Sequence, residues 1–142
     1  MKCKPLIVAL VGSALAGQVL LAHGTCTSGT IVFPAAVLRS TLSGHTVCAT
    51  RGSERWQEFH DPSGSLIDYK RGPADPVDKT ETVGTWATSI AVFVATVTYN
   101  YGSGGTYIYT LRKQTDGTYD FCGSGGNNVF GATVMAGSGA CP

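Results

Sequence analysis

Apolar and polar residues alternate at period two through most of the chain after residue 44, and turn-forming residues interrupt the alternation. Such alternation is typical of β-strands that place one face on a core. The pattern predicts strands at about 45–51, 55–60, 65–70, 84–88, 91–101, 105–113, 118–123 and 129–135, with boundaries good to a few residues. Short connections between consecutive strands favour an antiparallel meander, so a mainly β domain of about eight strands is predicted.

One short helix is predicted before the first of these strands. Apolar residues recur at helical spacing between Ile31 and Leu42, with Pro34 near the first turn and Gly44 just past the end. Proline is favoured at helix starts and glycine after helix ends.

A hairpin is predicted to join the strands at about 55–60 and 65–70. The segment Asp61-Pro62-Ser63-Gly64 connects them. Proline fixes φ at the first corner of a turn, and glycine accepts the positive φ at its end.

Tyrosines mark one face of the strands that follow. Alternation places Phe93, Ala95, Val97, Tyr99 and Tyr101 on one face of segment 91–101, and Tyr107, Tyr109 and Leu111 on one face of its partner. These tyrosines are either core packing or the wall of a ligand cavity or carbohydrate-type surface. The second interpretation gives a candidate ligand-binding set: Trp86, Tyr99, Tyr101, Tyr107 and Tyr109.

The chain begins with a pattern typical of secretory signal peptides. Lys2 and Lys4 precede an apolar run from Pro5 to Ala22, and small residues follow it. We predict cleavage near Gly24, which divides the chain into a signal peptide, 1–24, and one domain, 25–142. The alternative is an uncleaved membrane anchor, because about 18 apolar residues suffice to span a bilayer. The expected destination is the periplasm or the extracellular medium.

Cleavage there would leave eight Lys and Arg residues against nine Asp and Glu residues. This charge does not favour nucleic acid or anionic lipid as a partner. Four cysteines would remain: Cys26, Cys48, Cys122 and Cys141. Singly scattered cysteines in an exported chain favour two disulfides over zinc. Because the termini of small domains often lie close together, we predict the pairs Cys26–Cys141 and Cys48–Cys122.

Two short motifs give a family resemblance. The order Leu42-Ser43-Gly44-His45-Thr46, then Gly84-Thr85-Trp86, resembles calycin-like small exported proteins of proteobacteria. Gly84-Thr85-Trp86 also resembles the lipocalin G-x-W signature, in which the tryptophan closes one end of a barrel. In lipocalins that motif opens the first strand, whereas about three strands precede it here, so lipocalin ligands are not carried over. The resemblance implies an up-and-down barrel or half-barrel.

One strand carries candidate acid/base chemistry. Alternation puts Trp56, Glu58 and His60 on one face, and the predicted hairpin register brings Asp68 or Lys70 near Glu58. A carboxylate and an imidazole at this spacing suit general acid/base catalysis or two metal ligands. The same alternation fits a solvated face with cross-strand ion pairs. No third metal ligand is identifiable, so neither a metal nor another cofactor is predicted.

Three functions are therefore compatible with the sequence. The first is a non-enzymatic exported β-barrel-like module that binds a small molecule or another protein through the tyrosines and Trp86. The second is an inhibitor or interaction protein that acts through the proline-containing loop 70–82. The third is a hydrolase-type enzyme that uses Glu58, His60 and Asp68. A ligand binder requires a cavity of roughly 300 Å³ or more lined by the tyrosines.

Overall fold

In the residues that the structure describes, the alternating pattern forms eight strands, a short additional strand precedes them, and the helical pattern contains one α-helix. The structure, a computed structural model, describes residues 25–52, 54–68 and 81–142. The elements are β1 (Thr30–Ile31), α1 (Ala35–Leu42), β2 (His45–Arg51), β3 (Glu54–His60), β4 (Ser65–Asp68), β5 (Glu81–Ala91), β6 (Val94–Asn100), β7 (Thr106–Lys113), β8 (Tyr119–Gly123) and β9 (Val129–Ala136). The predicted signal peptide and most of the 70–82 loop, including Lys70, lie outside the described residues.

Strands β2 to β9 form a closed antiparallel barrel. Each strand pairs with the next along the chain, and β9 closes the ring on β2, with Val47 opposite Val134. The extra strand β1 pairs with β7, where Thr30 lies opposite Lys113. The mainly β antiparallel prediction is confirmed, and the closed form of the barrel is the one observed.

The hairpin between β3 and β4 forms at the predicted turn. The backbone N–H of Gly64 donates to the Asp61 carbonyl oxygen at 2.9 Å, and the Ser63 N–H donates to the Asp61 carboxylate at 2.8 Å. Gly64 adopts a positive φ of 98°, which glycine tolerates without a steric penalty. The turn fixes the register that sets Glu58 opposite Asp68.

The predicted break between the next two strands was wrong. The sequence pattern ended one strand at Thr88 and began the next at Ala91, but β5 continues to Ala91 and a two-residue turn, Val92-Phe93, leads into β6. Both turn residues have positive φ, 42° and 70°. Such turns normally contain Asn or Gly, so this one had no recognisable sequence signal. Phe93, assigned above to the tyrosine face, is 90% exposed in the turn.

Helix α1 is shorter than predicted because the chain before it is extended. Strand β1 occupies the start of the predicted helix, and the Val32 N–H donates to the Leu111 carbonyl oxygen at 2.9 Å. The helix ends where Gly44 takes a φ of 74°. Because α1 has eight residues, no helix in the described ranges is long and apolar enough to cross a membrane.

The helix covers one end of the barrel, which we call the closed end. Leu38 and Leu42 are fully buried there, against β5 and β6. The indole N–H of Trp86 donates to the Asp61 carbonyl oxygen at 2.9 Å, and the Arg39 guanidinium lies 5.0 Å from the indole centroid. Apolar side chains fill this end of the interior: Leu38, Leu42, Leu66, Trp86, Ala95 and Val97.

Two disulfides are present, but the predicted pairing was wrong. The structure pairs Cys26 with Cys122 and Cys48 with Cys141. The N-terminal segment runs beside β7 and meets β8, whereas the C-terminal segment crosses β2 and β3, where the Cys141 N–H donates to the Gln57 side chain. Strand β9 separates these two places on the barrel wall, so the terminal cysteines do not meet each other.

Candidate functional site: a cavity at the open end of the barrel

The barrel interior is hollow at the end opposite α1, which we call the open end. A cavity of about 540 Å³ lies there. All eight barrel strands and two of the connections between them contribute to its wall. The lining comprises Val47, Ala49, Arg51, Trp56, Glu58, Asp68, Val83, Tyr99, Tyr101, Gly104, Tyr107, Tyr109, Phe121, Asn127 and Val129. Aromatic rings and small aliphatic groups dominate this wall, with a few charged groups among them.

Four tyrosines form a connected group on β6, on the residue that follows it and on β7. Tyr99 lies directly opposite Tyr107 in the sheet. Ring centroids are 6.3 Å apart for Tyr99 and Tyr101, 5.8 Å for Tyr99 and Tyr109, and 5.9 Å for Tyr101 and Tyr107. Tyr109 also meets Phe121 edge to face at 5.9 Å. The distances are in the range of favourable aromatic pairs, so the rings hold one another in place.

His60 lies at the base of this group, between the cavity and the closed end. Its Nδ1 is 3.1 Å from the backbone carbonyl oxygen of Glu58, and its Nε2 is 2.8 Å from the Tyr99 hydroxyl. A carbonyl oxygen only accepts, so Nδ1 carries the proton and Nε2 accepts from Tyr99. Burial lowers the pKa of His60 to about 4, which keeps the ring neutral near pH 7.

Two carboxylates face each other across the hairpin of β3 and β4. Glu58 and Asp68 are cross-strand partners, and both line the cavity. The Tyr101 hydroxyl donates to the Glu58 carboxylate, whose two oxygens are both 2.9 Å away. Asp68 is only 8% exposed and His60 is fully buried, so the alternative of a solvated strand face does not hold.

The cavity environment keeps its tyrosines protonated. Burial raises the pKa of Tyr99 well above its usual value, and the negative charge of Glu58 adds to this. Burial and Glu58 likewise raise the pKa of Tyr101, and burial raises that of Tyr109. All three rings therefore carry neutral phenols at neutral pH.

The structure brings most of the sequence-predicted site residues together. Glu58, Asp68 and the four tyrosines line one cavity. Trp86 lies instead in the closed-end core, 3% exposed, with its ring edge-to-face with His60 at 5.1 Å. His60 is held beneath the cavity wall rather than in its lining.

Part of the cavity wall was not predicted from the sequence. Phe121 and Val129 contribute from β8 and β9, and Arg51 from the exposed end of β2. Alternation along these strands could have identified Phe121 as inward-facing. Pairing of β9 with β2 closes the barrel and brings β8 and β9 into one wall with β2, and alternation within a single strand does not predict this closure.

Comparison with known proteins does not assign this chain to a family. No family model, no curated protein and no solved structure matches the chain. In residues 25–52, 54–68 and 81–142, no three His, Cys, Asp or Glu side chains are grouped to hold a metal ion. The resemblance to calycin-like proteins stays a prediction.

Proposed function

We propose that this chain is an exported β-barrel binding protein that holds a small molecule in the cavity at its open end. One observation carries the proposal: the barrel is not filled by its own side chains. Its cavity of about 540 Å³ is within the range of small-molecule sites, roughly 300–1,000 Å³. The lining has the usual character of such sites, being aromatic and apolar with a few convergent polar groups.

The distribution of side-chain types along the barrel supports this proposal. Eight-stranded barrels are just wide enough either to be filled or to hold one small ligand. Leucines and Trp86 fill the closed end, whereas the lining of the open end includes small residues such as Ala49 and Gly104. The aromatic rings there pack against one another and line a space between them.

Export is supported by the disulfides. Two such bonds in a small domain are typical of proteins that fold in oxidising compartments outside the cytoplasm. The position of Trp86 beside the closing helix agrees with the calycin-like resemblance, in which the tryptophan closes one end of the barrel.

The enzyme hypothesis receives less support from the geometry. His60 is fully buried, and both of its ring nitrogens lie within hydrogen-bonding distance of protein oxygens. A general base must reach the proton that it abstracts, and this imidazole is not in the cavity lining. The inhibitor hypothesis depends on loop 70–82, most of which lies outside the described residues, and it stays a prediction.

A dye titration with a cavity-filling variant tests the proposal. We expect the oxidised protein to bind the neutral apolar dye Nile red saturably, with one site per chain. Ala49 lines the cavity, so Ala49→Phe should reduce the affinity about tenfold or more by occupying the space. Ala87 lies exposed on the same barrel, so Ala87→Phe is the matched control and should leave binding unchanged. Equal binding by both variants, or none by the wild type, contradicts the proposal.

A further inference from the structure

We infer that the closed end of the barrel docks on a lipid surface, into which the tip of the β5–β6 hairpin inserts. We call the outer part of this hairpin, residues 87–96, the arm. The inference is independent of the proposed binding function, because no residue of the arm lines the cavity. Four properties of the arm support it: its projection from the barrel, its exposed side chains, its backbone conformation and its lack of charge.

The arm leaves the wall of the barrel. Strand β4 pairs with β5 only as far as Thr85, and β7 pairs with β6 only from Val97 onward. Continuing the register would set Leu111 opposite Ala95, but the Leu111 carbonyl oxygen accepts from the Val32 N–H instead. Within the described residues, the two strands of the arm therefore pair only with each other.

The tip of the arm exposes large apolar side chains. Ile90 is 64% exposed, Val92 87% and Phe93 90%. Residues 90–94 read Ile-Ala-Val-Phe-Val, so no side chain of the tip can form a hydrogen bond. A protein interface normally surrounds its apolar centre with polar groups, which the tip does not supply. A hydrocarbon layer needs no such groups, so it matches the tip better.

The closed end around the arm is apolar as well. Ile31, Phe33 and Val37, in or near β1 and α1, are 40%, 52% and 46% exposed. Helix α1 packs against β5 and β6, so this region lies beside the base of the arm. Elsewhere in the described residues, Ile108 on β7 is the one large apolar side chain with comparable exposure. The exposed apolar surface is therefore concentrated at the closed end.

The turn of the arm holds its side chains at a cost in backbone energy. Val92 and Phe93 have positive φ, 42° and 70°, a region that β-branched and bulky residues rarely adopt. Asn-Gly would form the same turn without this strain. Strained positions are concentrated where a protein contacts a ligand or partner. The strain at this turn therefore indicates that its two apolar side chains serve a contact.

The arm and the chain on both sides of it are uncharged. Residues 82–111 contain no Asp, Glu, Lys, Arg or His. Nearer the base of the arm, the Ser89 and Thr96 hydroxyls lie 3.0 Å apart and hydrogen-bond to each other. Charged side chains are costly in hydrocarbon, and the arm brings none with it. The contact is therefore apolar, in agreement with a balance of charge that does not favour anionic lipid.

The length of the arm suits insertion at the headgroup boundary. Four residue steps separate Phe93 from Val97, the first residue of β6 that pairs with β7. At about 3.4 Å per step, the turn lies roughly 14 Å beyond that pairing. Ala95 is fully buried in the closed-end core, so only the outer half of the arm, about 7 Å, stands clear of the barrel. Apolar faces enter a lipid interface by about 5–10 Å, which matches this projection.

A second copy of the chain is the alternative occupant. The unpaired edges of the arm are templates for strand pairing, which would join two arms side by side. Val92 and Phe93 lie at the end of the arm, however, so pairing along its edges would leave them uncovered. A lipid surface covers the two most exposed side chains, and edge pairing does not.

Flotation of the oxidised protein with phosphatidylcholine vesicles tests the inference. We expect the wild type to bind, with an affinity that changes less than twofold between about 0.1 and 0.5 M NaCl, because the contact is uncharged. Phe93→Ser removes the most exposed apolar side chain of the tip and should weaken binding about tenfold or more. Ile108 is 55% exposed on β7, opposite Thr98 and away from the arm. Ile108→Ser is therefore the matched control and should leave binding within twofold.

A second variant separates loss of the contact from loss of the fold. Val92→Asn with Phe93→Gly suits the positive φ of the turn, so the chain should stay folded, as thermal melting verifies. The same change removes both side chains from the end of the arm and should abolish detectable vesicle binding. Ala49→Phe fills the cavity instead and should leave vesicle binding unchanged, which keeps this test separate from that of the proposed function.

Two results would overturn the inference: no vesicle binding by the wild type, or equal binding by the wild type and a folded Phe93→Ser variant. Sedimentation velocity without vesicles tests the second copy. We expect a monomer at the concentrations used for flotation. A dimer that Phe93→Ser dissociates would assign the tip to a second copy of the chain and would overturn the lipid contact as well.

Discussion

The two ends of the barrel are built on the same strands and differ in the side chains that point inward. At the closed end, Leu38, Leu42 and Leu66 are fully buried and fill the interior. At the open end, Tyr101 and Tyr107 are only partly buried and line a space. The strand pattern decides which residues face inward, and the side-chain type at each level of the barrel decides whether that level is solid or hollow.

His60 lies between the two regions. It contacts the closed-end Trp86 on one side and the cavity tyrosine Tyr99 on the other, at ring-centroid distances of 5.1 Å and 5.4 Å. His60 is a hydrogen-bonded polar group at this position, and it connects the closed-end core to the cavity wall. The comparison therefore predicts that substitutions at the two ends affect different measurable quantities.

The largest expected effect separates stability at the two ends. Leu66→Ala removes a fully buried side chain from the filled end and should lower the free energy of unfolding by about 3–5 kcal/mol. Val83→Ala removes atoms that already border the cavity, so its cost should be less than about 1 kcal/mol. Urea denaturation monitored by circular dichroism measures both. Equal losses would mean that the open end contributes to stability as much as the closed end does.

A second prediction concerns the histidine between the ends. The folded-state pKa of His60 is about 4, below the unfolded value of about 6.5, so protonation favours the unfolded chain. Its contribution is fully present above about pH 6.5 and is lost as the pH falls through 4, a loss of about 3 kcal/mol. Urea unfolding of wild type and His60→Gln at neutral pH and near pH 4 measures this contribution. The variant should lose less stability on acidification, and parallel losses would contradict the assignment.

The smallest expected effect is a gain in stability outside both regions. Val92 and Phe93 occupy a turn with positive φ at both residues, where Asn-Gly is favoured. Replacing them, Val92→Asn with Phe93→Gly, should raise the free energy of unfolding by about 1 kcal/mol. Both side chains are almost fully exposed, 87% and 90%, so no core contact is lost. Nile red affinity serves as the control and should not change, because the turn lies outside the cavity lining.

Alternation alone predicted much of the fold and part of the site. Six of the eight barrel strands, all but β5 and β6, were predicted within two residues of their observed bounds. The hairpin at Asp61-Pro62-Ser63-Gly64 was predicted to bring Asp68 or Lys70 near Glu58, and Asp68 is observed opposite it. The shared face of Tyr99 and Tyr101 is likewise observed. These features depend on neighbouring residues and local turn chemistry, which a sequence displays directly.

The remaining features depend on contacts between distant parts of the chain. Alternation placed Trp56, Glu58 and His60 on one face but left open whether that face points inward. The opposite face also contains a buried residue, Gln57, because the C-terminal segment crosses the outside of β3. The disulfide pairing depends on which strands each terminal segment reaches. The expectation that the two chain ends lie close together therefore predicted the wrong pairs.

The disulfide connectivity also determines how the chain responds to proteolysis. Residues 49–121 lie within both covalent loops, since the bonds join Cys26 to Cys122 and Cys48 to Cys141. One peptide-bond cleavage in that stretch gives an N-terminal fragment with Cys26 and Cys48 and a C-terminal fragment with Cys122 and Cys141. Both bonds then connect the two fragments, so a protein nicked once there remains a single covalent molecule until it is reduced.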